Sequence, residues 1–239
     1  MVLCLLKTLA SRRASSKSYA EPLLVRVYLP PRCMRVISVR YVVRPLLLLL
    51  LSCPVFAGEV VLENDYVRVT RDAAPCALAH VPECVDRVIV ALGEVNLKAE
   101  DTSRTMTRGD VAVFGPSESY DVRQGGSFFE VAIKANHPAV QTPGEIIAPE
   151  KNAARYDGKD FFVFEEKLEP GGTRARHSHS QRVVIQLNRS RLEQWPDGQP
   201  SKIVETVPDR PGFSAPVIHT VKNVGDTPLR GIVIEFKPR

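Results

Sequence analysis

The sequence predicts an all-β protein of two similar lobes behind an N-terminal leader, on three observations. From Gly58 onward, short runs rich in Val, Ile and Phe alternate with turn residues at spacings of about 8 to 12 residues, the pattern of a β sandwich or barrel. Sustained helical periodicity is missing. Two stretches of the chain also resemble each other in order and spacing, as one β unit present twice would.

The leader comes first. The whole chain carries a formal charge of +5, which invites a nucleic-acid reading. The positive charge, however, lies at the front: residues 1–57 hold nine Lys/Arg against the single acid Glu21, leaving 23 Lys/Arg and 26 Asp/Glu after them, a net of −3. A mildly acidic folded part removes the main support for DNA or RNA binding. Basic residues Arg35, Arg40 and Arg44, the apolar run Leu46 to Leu51 and small residues around Ala57 follow the order of an export signal. The run is shorter than the roughly 20 apolar residues a membrane-spanning helix needs. We therefore expect a signal peptide over 34–57, cleaved after Ala57, no transmembrane span in the mature chain, and a periplasmic or extracellular location. Lipidation at Cys53 is the alternative. Residues 1–33 precede Met34 and read as a misassigned start.

Cleavage would leave only Cys76 and Cys84 of the five cysteines. In an oxidising compartment they make a plausible disulfide, with two buried thiols as the alternative.

In the first lobe, 58–145, the strands expected are Val67-Arg68-Val69, Arg87 to Leu92, Glu94 to Lys98, Val111 to Phe114 and Phe128 to Ile133. In the second, 146–239, they are Phe161 to Glu165, Arg182 to Leu187, Arg191 to Trp195, Ile203 to Val207, His219 to Lys222 and Ile232 to Phe236. Trp195-Pro196-Asp197-Gly198 reads as a tight turn, since Pro presets φ and Gly accepts a positive one. The repeat aligns Asp86 to Leu92 with Gln181 to Leu187, Pro116 with Pro216, and Phe129 to Lys134 with Ile232 to Lys237. Between the copies, His137 to Lys159 has the Pro and Gly content of a linker or crossing arm.

The chemistry-bearing segment runs from Glu169-Pro170-Gly171-Gly172 through Thr173-Arg174-Ala175-Arg176 to His177-Ser178-His179. On a strand, residues i and i+2 share a face, so His177 and His179 aim at one point. About forty residues later His219 opens another strand, with Asn223 four positions on. Three of the chain's five histidines fall in this pattern. The other two, His80 and His137, have no partner spacing and read as loop residues.

These two segments resemble the motifs of the cupin superfamily: a glycine, a His-x-His pair and a β run, then a proline-containing turn, a histidine and an asparagine. The resemblance spans both lobes as a bicupin, but its motifs lie only in the second. It implies antiparallel barrels of jelly-roll type and one divalent transition metal inside the second, held by His177, His179 and His219. The usual acidic ligand is missing: counting forward from the histidine pair lands on Val183 or Val184, and counting back from the end of the β run lands near Gln181. Gln181, on the histidine face if the strand stays regular, is a candidate weak fourth ligand. Iron, zinc, nickel, copper and manganese all accept such a set. In the first lobe Pro82 and Cys84 align with His177 and His179, and Ser119 with His219, so that lobe is expected to be structural.

Arg174, Arg176 and Arg182 flank the histidines and are candidates to bind a small anionic substrate, as guanidinium pairs bidentately with carboxylate. Trp195 and Phe213 are candidate cavity residues, with core packing the commoner role of an aromatic in a barrel. Phosphate loops, serine elbows and paired catalytic carboxylates do not occur. Three readings stand: a metal-dependent enzyme, a non-catalytic binder of a small molecule, and an interaction protein whose strands pair between subunits, as in a homodimer.

Overall fold

The computed structural model describes residues 58–78, 80–148 and 153–238. The leader, the expected cleavage site after Ala57 and Cys53 lie outside the described residues. Among those described, all the extended regular elements are strands, and no helix is long and apolar enough to cross a membrane.

The first lobe contains β1 (Glu59–Glu63), β2 (Val67–Arg71), β3 (Cys84–Ala91), β4 (Val95–Ala99), β5 (Thr102–Met106), β6 (Val111–Phe114), β7 (Tyr120–Gly125) and β8 (Phe128–Lys134). The second contains β9 (Ala153–Asp157), β10 (Phe161–Leu168), β11 (Thr173–His179), β12 (Arg182–Gln186), β13 (Arg191–Pro196), β14 (Lys202–Glu205), β15 (Pro211–Ser214), β16 (Val217–Asn223) and β17 (Leu229–Phe236). Expected strands are all present. The sequence reading missed β1, β5, β7, β9 and β15. Of these, β5 (Thr-Ser-Arg-Thr-Met) and β9 (Ala-Ala-Arg-Tyr-Asp) have too little apolar alternation to read as strands. They exist because a neighbour offers its backbone, β4 for β5 and β10 for β9.

The repeat is visible in the pairing. The two five-stranded sheets have the orders β1-β2-β8-β3-β6 and β9-β10-β17-β12-β15. Matching each strand to its sequence counterpart turns one order into the other. The register agrees as well: Arg87 pairs Ala132 where Arg182 pairs Glu235, all antiparallel. The smaller sheets are β5-β4-β7 and β11-β16-β13-β14. The second has one extra strand, β11, and that strand carries His177 and His179. In the first lobe the described residues between β2 and β3 form no strand; Cys76 there is joined to Cys84, with Cα atoms 6.2 Å apart.

Alternation on the large sheets sorts their side chains into two layers. Val67, Val69, Val88, Val90, Phe129 and Val131 from the first lobe meet Phe161, Val163, Val183, Ile185, Ile232 and Ile234 from the second in one shared core. Each is removed almost completely from water, and burial of each such side chain contributes about 1.5–3 kcal/mol. Their neighbours on the other face point into each lobe. The first lobe's interior is filled by Ile89, Leu97, Met106, Phe114 and Phe128. The second lobe's interior instead encloses a cavity of about 620 Å³ lined in part by Val184, Val233, Arg182, Gln186, His179 and His219.

Two local devices aim the second lobe's histidines. Gly171, at φ +76°, turns the chain into β11; its N–H donates to Asn223 O (2.8 Å), and Asn223 N–H returns to Gly172 O (2.9 Å). The fully buried Asn223 side chain donates to Leu168 O (2.9 Å) and Thr227 O (2.8 Å), tying the ends of β10 and β16 together. The expected turn after β13 is present: Gly198 has φ +69° and Gln199 N–H donates to Pro196 O (3.1 Å).

Candidate metal centre

β11 and β16 run antiparallel with His177 directly opposite His219, and His179 lies two residues along the same face. The three rings stand 4.6 to 5.5 Å apart, centre to centre. One nitrogen from each lies within 4.8 Å of the others, and all three residues are buried. Strand pairing thus brings the sequence-predicted histidines together across forty residues of chain.

Hydrogen bonds select which nitrogen faces inward. His177 Nδ1 is 2.7 Å from Ala175 O, so it carries the proton and leaves Nε2 bare. His179 Nδ1 is 2.8 Å from Glu235 Oε2, whose other oxygen accepts Ser180 N–H at 2.7 Å. That carboxylate–histidine pair holds the ring and directs Nε2 to the cluster. Phe164 stacks parallel to the same ring, 6.1 Å away. His177 Nε2 and both nitrogens of His219 are buried with no protein partner.

Burial pushes the His177 imidazole down to about 4, although its bond to Ala175 O opposes the shift. Burial, aided by the neighbouring His177 and His179, pushes His219 to about 2. At neutral pH both rings are neutral, the form that donates a lone pair to a metal. An unsatisfied buried nitrogen costs about 1–3 kcal/mol, so orphaned imidazole nitrogens facing each other are the observation a divalent transition metal would explain. The donor set fits such an ion.

The depressed values set a pH dependence for the metal-stripped protein. Unfolded histidines protonate below about 6.5, whereas these two stay neutral in the fold until about 4 and about 2. Folding then excludes protons, so stability is complete above about pH 6.5 and falls as pH drops toward 4. Each histidine contributes a slope of at most about 1.4 kcal/mol per pH unit. Urea titrations at a series of pH values should show this slope, and His177→Asn should reduce it.

Gln181 requires a correction. β11 ends at His179 and the chain bends, so strand alternation does not carry Gln181 onto the ligand face. Its Oε1 accepts Gln141 N–H (2.9 Å) and its own N–H donates to Gln141 O (3.3 Å). Ile147 makes a second two-way contact with Ser178, N–H to Oγ at 2.7 Å and O from Ser178 N–H at 3.0 Å. The linker is therefore laid along the outer edge of the histidine strand.

The three arginines part company. Arg182 lines the cavity; its Nη1 donates to Ser180 O (3.2 Å) and Ala215 O (3.0 Å), and burial lowers its pKa against the opposing pull of Glu235 and Glu166. Arg176 points outward to Asp197 (2.6 Å) and Glu145 (3.1 Å) and is removed from the cavity. A bulge between Arg174 and His177 resets the alternation and turns Arg174 inward, where it is buried 3.6 Å from Glu166. Trp195 is 37% exposed and Phe213 packs against the shared core; neither lines the cavity. His137 stacks on Tyr66 (5.6 Å) and His80 N–H donates to Pro116 O (2.7 Å), away from the cluster.

Sequence reasoning missed Glu235. An acid within the apolar run Ile232-Val233-Ile234-Glu235-Phe236, where the other lobe has Ala132, was the available signal. Replacing Glu235 by Ala should weaken metal binding about 10- to 100-fold, the usual effect of losing such a partner; competition with a calibrated chelator measures it.

At the matching place in the first lobe, Arg87 replaces Arg182 in register and is fully buried beside Glu130 and Tyr120. Glu130 accepts Tyr120 O–H and Cys76 N–H, and burial raises both acids above their usual ranges. Among the described residues, the His/Cys/Asp/Glu grouping able to hold a metal is the second lobe's.

No protein-family model and no curated protein matches this chain. Solved structures of similar backbone course include a cupin domain from Bordetella pertussis Tohama I, 23% identical, covering 40% of this chain and 99% of that one at a TM-score of 0.35. AerE from Microcystis aeruginosa is 16% identical over 75% of this chain and 91% of its own, TM-score 0.49. Oxalate decarboxylase from Lactobacillus farciminis, crystallised as a formate complex, is 13% identical over 77% and 85%, TM-score 0.48.

Proposed function

We propose that the second lobe of this cupin-like protein binds one divalent transition-metal ion through His177, His179 and His219 and presents it to a small carboxylate held beside it by Arg182. The observation that carries this reading is the set of buried, partnerless imidazole nitrogens converging at one end of a cavity large enough for an organic ligand. A metal held there by His177, His179 and His219 would supply Lewis-acid chemistry.

The chain's own residues define the rest. Three neutral imidazoles leave the ion's charge uncompensated, which favours an anion as the next ligand. Arg182 adds a second positive charge on the cavity wall. Glu235 keeps His179 in the right tautomer. Export follows from the leader's charge and apolar order, and the joined Cys76 and Cys84 suit an oxidising compartment.

A non-catalytic binder is the second reading, favoured by one observation: the carboxylates at the cavity are engaged or peripheral. Glu235 is held by His179 and Ser180, Glu166 faces Arg174, and Glu205 sits at the exposed rim. A general base beside the ion is therefore not evident. Protein beginning at Gly58, supplied with each candidate ion in turn, should retain about one metal per chain and bind acetate only when loaded. Absence of stoichiometric metal with every ion overturns the proposal. Turnover or dioxygen uptake across a panel of carboxylic acids separates enzyme from binder.

A further inference from the structure

Positive charge in the second lobe's cavity is not confined to the metal end. β14 and β15 are the edge strands of the smaller and the larger sheet, and residues of both line the cavity. Each edge brings a cation to that lining. Lys202 on β14 pairs Gln194, which pairs Val221, and all three line the cavity; Lys202 therefore lies on the inward face that also carries His219, two residues from Val221 along β16. Arg210 immediately precedes β15. Pro211 pairs Ile185, and Asp209 N–H donates to Gln186 O (2.9 Å), which sets Arg210 beside Gln186 at the far end of β12. From Arg182 to Gln186 the strand advances four residues, on the order of 13 Å.

Both cations are exposed, and among the described residues neither side chain has a hydrogen bond or an ion pair. The nearby acids are mostly committed elsewhere. Asp209, held at φ +56°, pairs with Arg108 (2.6 Å), and its carbonyl accepts from Arg71, both in the first lobe. Glu166 is 3.6 Å from Arg174, and Glu235 holds His179. Glu205 on the rim is the remaining acid of the lining. A divalent ion together with Arg182, Lys202 and Arg210 thus gives the loaded cavity a surplus of positive charge that a single carboxylate offsets only in part. Lone solvated cations on an open surface would carry no such meaning. Here they come from two different sheets to one opening whose walls include Val184, Val204, Val221 and Val233, and a concave surface of one sign over apolar walls concentrates counter-charge.

We propose that the cavity takes an elongated dianion: one carboxylate at the metal and Arg182, an aliphatic body against Val184 and Val221, and a second anionic group met by Lys202 and Arg210. This rests on the metal-and-carboxylate reading above and adds a second point of recognition. The second contact is made by exposed groups, so it is sensitive to salt.

The test uses zinc-loaded protein, calorimetry, and unbranched dicarboxylic acids of increasing length, each beside its monomethyl ester, which keeps the length and removes one charge. At one length in the series the diacid should bind about tenfold tighter than its ester at low salt, more than two equivalent ends give by statistics alone. Added salt should shrink that advantage. Lys202→Gln combined with Arg210→Gln should erase it, and the charge-keeping pair Lys202→Arg with Arg210→Lys should preserve most of it. Because the diacid is read against its own ester in each variant, effects of the substitutions on the metal end cancel; thermal unfolding and metal analysis check that both variants are folded and loaded. No advantage at any length, an advantage that survives in the neutral pair, or its loss in the charge-keeping pair overturns the assignment. Acetate, too short to reach Arg210, reports the metal end separately: if it fails to bind the zinc-loaded protein, the carboxylate reading falls as well. If acetate binds and the second carboxylate adds nothing, only the second recognition point falls.

Discussion

Replacing His219 by alanine is expected to take metal content from about one ion per chain to near zero while leaving the fold intact. Both of its ring nitrogens are buried without a protein partner, and it faces His177 across β11 and β16. Two remaining imidazoles on one strand form too few ligands for a closed site. The ring contributes no hydrogen bond to the metal-free fold, so the stripped variant should lie within about 1 kcal/mol of stripped wild type, far below the cost of a broken buried pair. The difference appears on adding metal. At a thousandfold excess over the dissociation constant, wild type gains about 4 kcal/mol and the variant should gain almost nothing. Metal analysis after gel filtration and thermal unfolding with and without the ion check both halves. Retention of stoichiometric metal would remove His219 from the site.

Phe129→Ala is expected to destabilise the whole molecule by about 3–5 kcal/mol, the range for an aromatic deleted from a tight core. Phe129 is fully buried in the shared core, with the Arg71 guanidinium 5.0 Å from its ring. That core draws on both large sheets, and polar ties cross between lobes as well: Arg108 reaches Leu92 O (2.7 Å), Leu187 O (3.2 Å) and Asp209 (2.6 Å). Damage on the first lobe's side should therefore lower the stability of the metal-binding lobe too. Urea unfolding should remain a single transition at a lower midpoint, and metal release should coincide with it. Two separated transitions, with metal retained through the first, would show the lobes to be independent.

Much of this was legible in the chain itself. Asp86 to Leu92 and Gln181 to Leu187 occupy equivalent places in equivalent sheets, because a repeat preserves strand order along with residues. His177 and His179 share a face, as a period of two requires. Where alternation failed, the cause is local geometry: the bulge before His177 turned Arg174 inward, and the end of β11 took Gln181 to the linker. The charged flank of three arginines thus separated into one cavity residue, one buried ion pair and one surface cluster.

The sequence by itself determined the β class, the doubling of the unit and the three imidazoles, since side-chain period, turn residues and motif spacing are properties of the chain alone. Only the tertiary structure decided that Glu235 orients His179, that Arg182 rather than Arg176 faces the cavity, and that Gln181 bonds Gln141 of the linker. Those relations join residues dozens of positions apart through strand register, and register is settled by how whole sheets pack. A pattern read along one strand carries no record of the strand that will lie beside it.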